Sequence, residues 1–151
     1  MSAEIPFGTQ LVGQLENAFG AILDRELSGS GITRHQWVTL VVAVMSGTGD
    51  VERAQLAARV AGALKIGQDT ADAQIDALCD SGYLAAFDDA ATIAVTERGA
   101  ELHASVRGAV ATITETLWGD IPAADVTTAA RVLNTVLERA NAELARDAGR
   151  D

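Results

Sequence analysis

The chain is expected to fold as a mostly α-helical single domain with one small β-hairpin, and three observations predict this. The sequence is 48% hydrophobic but only 4% aromatic, with Ala, Leu and Val supplying most of the apolar residues. Ala costs no side-chain entropy in a helix, so such composition with charges at helical spacing favours helices. Long amphipathic runs lie near both ends, each with an apolar face wider than a one-sided surface helix needs. Between them, two short β-like runs flank Asp88-Asp89-Ala90-Ala91. A length of 151 residues suits one core rather than two.

In order, Gly8–Leu27 reads as a first long helix with Leu11, Leu15, Ala18, Phe19, Ile22 and Leu23 on its apolar face. The breadth of that face implies more than one neighbour, a second subunit among them. Ser28-Gly-Ser-Gly31 breaks it. Thr33 is a good N-cap for a second helix to about Ser46, with Trp37, Leu40, Val41, Val44 and Met45 directed inward. Gly47-Thr-Gly-Asp50 is a second break, and Asp50 is expected to cap a third helix, Val51–Leu64. A fourth helix, Asp69–Ser81, is stopped by Gly82; Ala71, Ile75, Leu78 and Cys79 form its buried face. Tyr83–Phe87 and Thr92–Val95 make the hairpin. Thr96 caps a fifth helix, 97–118, and Pro122 opens the last, 122–146. That last helix is nearly two-sided through Val126, Leu133, Val136, Leu137 and Leu144, and its polar tail from Arg146 is expected to fray.

Composition narrows the function. The formal net charge is −10 and the sequence pI about 4.5, which disfavours spontaneous attraction to polyanions. No apolar run approaches the ~20 residues that span a bilayer, and MSAEIPFG lacks the features of a signal peptide. A cytoplasmic protein without membrane contact is expected. One Cys excludes an internal disulfide, and Cys79 reads as a buried, inert thiol. Two His 68 residues apart and one Cys give no metal-ligand pattern, so no metal and no cofactor are expected. No nucleophile elbow, triad spacing or Gly-rich phosphate loop appears, and no catalytic residue is assigned.

The distribution of charge is more informative than its sum. From Ile66 onward no Lys or Arg occurs until Arg98. Asp69, Asp72, Asp76 and Asp80 follow one another at i, i+3, i+7 and i+11, one stripe on a face of the fourth helix. Asp88 and Asp89 add two more acids in the hairpin turn.

Two helices joined by a tight turn and followed by a hairpin give the order of a winged helix-turn-helix, residues 33–95. Gly31-Ile-Thr-Arg-His-Gln-Trp37 resembles the GLTxxQW segment of the MarR (multiple antibiotic resistance regulator) family. Ile93-Ala-Val-Thr-Glu-Arg-Gly99 is similar to its LTxxG segment, and Gln55-Leu-Ala57 and Leu78–Leu84 match its third helix and the end of its fourth. The resemblance covers roughly residues 8–144. It implies a homodimer whose first (8–27) and last (122–146) helices form a dimerisation layer, with 97–118 linking it to the winged lobe. It also implies a pocket between the first, second and fifth helices for small aromatic or hydrophobic ligands. Phe19, Arg34, His35, Trp37 and His103 are the candidate ligand residues, Arg34 to meet an anion.

The departures concern DNA. Where the family carries Ser, Thr and Arg on its reading helix, this chain has Asp69, Thr70, Asp72 and Ala73, with Asp76 further along. The wing turn, with Asp88 and Asp89, has no Arg to insert, and the turn between helices three and four reads as one helical turn longer than usual, Ala61–Gly67. Duplex DNA carries one negative charge per roughly 1.7 Å, and counterion release supplies most non-specific affinity. An Asp can accept from cytosine N4, but one such contact is worth only ~1–3 kcal/mol. Arg53, Arg59, Lys65 and Arg98 are the basic residues within reach of phosphates. The leading expectation is therefore a MarR-like homodimer that binds a small aromatic or hydrophobic ligand, with DNA recognition weakened or lost. The alternative is a ligand-responsive transcriptional regulator, and the third an enzyme using the same pocket. The Asp stripe also admits a basic protein partner.

Overall fold

The helical periodicities emerge as six helices: α1 (Thr9–Leu27), α2 (Arg34–Met45), α3 (Arg53–Leu64), α4 (Gln68–Asp80), α5 (Glu97–Trp118) and α6 (Ala123–Ala148). A sheet of β1 (Val51–Glu52), β2 (Leu84–Phe87) and β3 (Thr92–Val95) completes the described elements. The computed structural model describes residues 3–47 and 49–150. Met1, Ser2, Asp151 and Thr48, which falls in the Gly47–Asp50 break, lie outside the described residues. Two compact units are present, Met1–Val110 and Ala111–Asp151, and the boundary falls within α5.

The first unit holds the core. Leu40, Leu56, Val60, Ala71, Ile75, Leu78 and Ile93 are fully buried where α2, α3, α4 and β3 meet. Each large aliphatic side chain buried this way contributes roughly 1.5–3 kcal/mol. Cys79, expected to be buried, is only half-buried at the edge of this core, and that partial burial pushes its thiol pKa up. Thr33 caps α2 as the sequence predicts: its hydroxyl accepts from Gln36 N at 3.2 Å, and the Gln36 side chain accepts from Thr33 N at 3.1 Å. Met45, expected inward, is 79% exposed; it shares the outer edge of the α2 face with half-buried Val41.

The start of α3 differs from expectation. Val51 and Glu52 are not helical but form β1, antiparallel to β3 with Val51 opposite Ile93, so the sheet has the order β1-β3-β2. Arg53 N donates to Ala91 O at 2.9 Å and continues this edge before α3 begins. A two-residue strand is too short to show a period, which is why the sequence pattern hides it. Glu52, not Asp50, occupies the N-cap position. The turn between α3 and α4 is not extended either. Ala61–Leu64 are helical, and only Lys65, Ile66 and Gly67 connect the helices. Lys65 ends α3 in the left-handed conformation, φ 56°, the commonest way to stop a helix.

The wing forms where the sequence places the hairpin, with Leu84 opposite Val95 and Phe87 opposite Thr92. Its turn places Asp88, Asp89 and Ala90 at φ 51°, 54° and 68° without a glycine. Asp tolerates this region, whereas Ala90 carries a cost of about 1 kcal/mol.

The joint between wing and α5 explains the Thr-Glu-Arg-Gly motif. Thr96 Oγ1 donates to Gly82 O at 2.7 Å and accepts from Gly99 N at 3.0 Å, capping α5. Gly99 is buried against the Tyr83 carbonyl, leaving no room for a Cβ. The Tyr83 hydroxyl donates to Ser30 O at 2.8 Å, and the Arg98 guanidinium lies over its ring at 4.6 Å.

In the second unit, α6 buries no residue. Val126, Leu133, Val136, Leu137 and Leu144 are exposed along one side of it. The helix runs on to Ala148 rather than fraying from Arg146, which pairs with Glu143 at 3.0 Å one turn earlier.

Candidate DNA-facing surface and ligand groove

Two adjacent carboxylates on one helix face repel unless a cation stands between them, and at Asp72 and Asp76 one does. Arg53, the first residue of α3, donates from Nε to Asp72 Oδ1 at 2.7 Å and from Nη2 to Asp76 Oδ1 at 2.6 Å. A longer bond reaches Asp72 O at 3.3 Å. The guanidinium is 16% exposed, and the Asp72 hydrogen bond is the first cause of its raised pKa. Asp72 and Asp76 thus tie the two helices of the helix-turn-helix together. Arg53 is thereby taken away from the phosphate-contacting role its position suggests. Sequence reasoning missed this pairing, although the i, i+4 acids signalled a need for it.

Two of the remaining cations near this face are also engaged. Arg59 Nη1 donates to Ser46 Oγ at 2.9 Å, and Arg98 lies on Tyr83. Lys65 is exposed at the end of α3. Asp69, Thr70, Ala73, Asp76, Asp80, Asp88 and Asp89 are all exposed, so α4 and the wing turn present an acidic surface.

The groove lies between α1, α2, the C-terminal end of α3 and the middle of α4. Its volume is about 1130 Å³, with Val12, Leu15, Phe19, Leu23, Val38 and Leu64 supplying apolar walls. Phe19, Arg34 and His35 line it together, but Trp37 and His103 do not. Instead of α5, the end of α3 closes it through Ala63 and Leu64 and the middle of α4 through Gln74.

Arg34 is positioned by a device that sequence reasoning did not single out. Its guanidinium rests on Gly20 of α1, where any Cβ would collide with it. On either side stand Glu16 and Asp24, one turn before and one turn after Gly20. Arg34 Nε lies 3.1 Å from Asp24 and Nη1 3.8 Å from Glu16. The Glu16-Gly20-Asp24 spacing, acids at i and i+8 about a small residue at i+4, was the available signal.

Trp37 and His103 meet each other instead, their rings stacked at 5.6 Å and 21°. Both are buried. Burial, and then repulsion from Arg107, lowers the His103 pKa below the ordinary histidine value of 6.5. The unfolded chain therefore binds this proton more readily, so the stabilisation from neutral His103 is present above pH ~6.5 and is lost as pH falls through the folded-state value. Thermal melts between pH 7 and 5 should show a steeper acid loss for the native chain than for His103→Phe, which keeps a ring beside Trp37. Equal slopes would show that His103 does not contribute to the acid sensitivity.

No family model matches the chain, and no curated protein does either. Solved structures do match. A MarR protein from Peptoclostridium difficile superposes with a TM-score of 0.73 at 15% identity, over 95% of this chain and 97% of that one. The fold is that of MarR-family regulators. CouR from Rhodococcus jostii RHA1, in a structure bound to p-coumaroyl-CoA, superposes with a TM-score of 0.68 at 18% identity, over 83% of this chain and 88% of that one. The oxidised form of MarR from E. coli gives 0.65 at 18% identity, over 89% and 96%. The MarR-like order of elements read from the sequence is therefore the order the chain adopts, with β1 as an addition. Among the described residues, no helix is long and apolar enough to cross a membrane.

Proposed function

We propose that this MarR-fold chain works as a homodimer that binds a small aromatic or hydrophobic molecule in the α1–α2 groove, with duplex DNA recognition weakened or lost. The observation that carries the DNA part is Arg53. This cation beside the reading helix is held by Asp72 and Asp76, while Asp69, Asp80, Asp88 and Asp89 face solvent. Counterion release needs free Lys or Arg on phosphate, and this face offers carboxylates. The uncovered apolar stripe of α6 and, separately, exposed Val12 and Leu15 on α1 support self-association, since uncovered apolar patches mark protein interfaces. The apolar walls of the groove support a hydrophobic ligand.

A second reading, a ligand-responsive regulator, draws on the likeness to MarR regulators alone. Fluorescence anisotropy separates the two. Labelled duplex from the chain's own promoter region, run beside a scrambled duplex at low and physiological salt, should show no sequence-selective binding. Submicromolar selective binding at physiological salt would establish the regulator instead.

A further inference from the structure

We propose that the α1–α2 groove selects amphipathic cations, a protonated amine on an apolar or aromatic body, over the corresponding acids. This rests on the reading of that groove as the ligand site and assigns its ligand class.

Arg34 sets the charge preference of the groove. An arginine in an apolar groove ordinarily invites a carboxylate, but this one is already engaged. Its guanidinium lies in the notch over Gly20, 3.1 Å from Asp24 and 3.8 Å from Glu16. One cation therefore faces two carboxylates, and the rim keeps an excess negative charge. The Glu16 contact is beyond hydrogen-bonding distance, so that carboxylate retains its acceptor sites while standing at the edge of the walls formed by Leu15, Phe19 and Val38. A ligand acid entering here meets the charges of both Asp24 and Glu16 beside the one cation, Arg34. An ammonium finds Glu16 directly while its body covers the apolar wall. The chain's formal net charge of −10 acts in the same direction by concentrating cations near its surface.

The experiment is calorimetric titration of the full chain at pH 7 with three probes of one shape: 4-phenylbutylamine, 4-phenylbutan-1-ol and 4-phenylbutanoate. The amine should bind roughly tenfold more tightly than the acid, with the alcohol between them. The gap should narrow at high salt. Glu16→Gln should reduce the amine-over-acid preference about threefold; because Glu16 is exposed, folding is not at risk. Equal affinities, or tighter binding of the acid, would overturn the charge selection and leave the groove as a ligand site. If no probe binds, or if Ala63→Trp at the groove wall leaves binding intact, the groove reading fails and this assignment falls with it.

Discussion

Gly99→Ala is expected to lower the thermal midpoint by about 6–10 °C, corresponding to a loss of roughly 2–3 kcal/mol. The added methyl would be driven into the Tyr83 carbonyl, and neither side can yield cheaply. Tyr83 is held from its other end by the bond from its hydroxyl to Ser30 O at 2.8 Å. Gly99 is held by its own N–H on Thr96 Oγ1 at 3.0 Å, and Thr96 N donates to Tyr83 O at 3.2 Å. A shift of α5 that relieves the clash breaks the cap at the start of the helix. Gly62→Ala serves as the control. Gly62 lies in α3, where a methyl group in place of its hydrogen would meet nothing within 4 Å, so Ala there should stabilise by about 0.5–1 kcal/mol. Two melting curves decide the matter. Similar midpoints for both variants would show that the close approach at Gly99 is not structural.

The second large effect concerns DNA. Asp69→Lys combined with Ala73→Lys should raise affinity for duplex DNA about a hundredfold at low salt, and steepen the slope of log K against log salt by about 2. Both positions are exposed on α4, and neither takes part in the Arg53 pairing, so the helix-turn-helix keeps its geometry. Anisotropy at several salt concentrations measures slope and affinity together. A native chain already as tight as the double variant would mean that the acidic face does not govern DNA affinity. By contrast, Arg53→Met would not free the face for DNA. It would leave Asp72 and Asp76 adjacent and uncompensated on one helix.

Sequence patterns identified most of the scaffold because its determinants are local. Thr33 and Gln36 form their capping box within one turn, the buried face of α4 follows a helical period, and Gly82 and the hairpin residues mark the wing. Where expectation and structure part, the deciding partner is remote in sequence. β1 exists because Val51 finds Ile93, 42 residues on. Trp37 stays out of the groove because His103 from α5 stacks on it. Helical spacing placed Met45 on the α2 face but carried no information about where that face ends.

The sequence by itself determined the helix order, the caps at Thr33 and Thr96, most of the apolar faces and the acidity of α4, all set by spacing and composition along one stretch of chain. Only the tertiary structure decided what the charges do. Asp72 and Asp76 are visible as an acidic stripe, but their capture of Arg53 depends on how α3 packs against α4. Arg34 is visible as a cation in an apolar setting, but the missing Cβ of Gly20 lets it lie between Glu16 and Asp24. A side chain's charge is written in the sequence, whereas its partner is selected by distance, and distances between separate helices are set by the packed core.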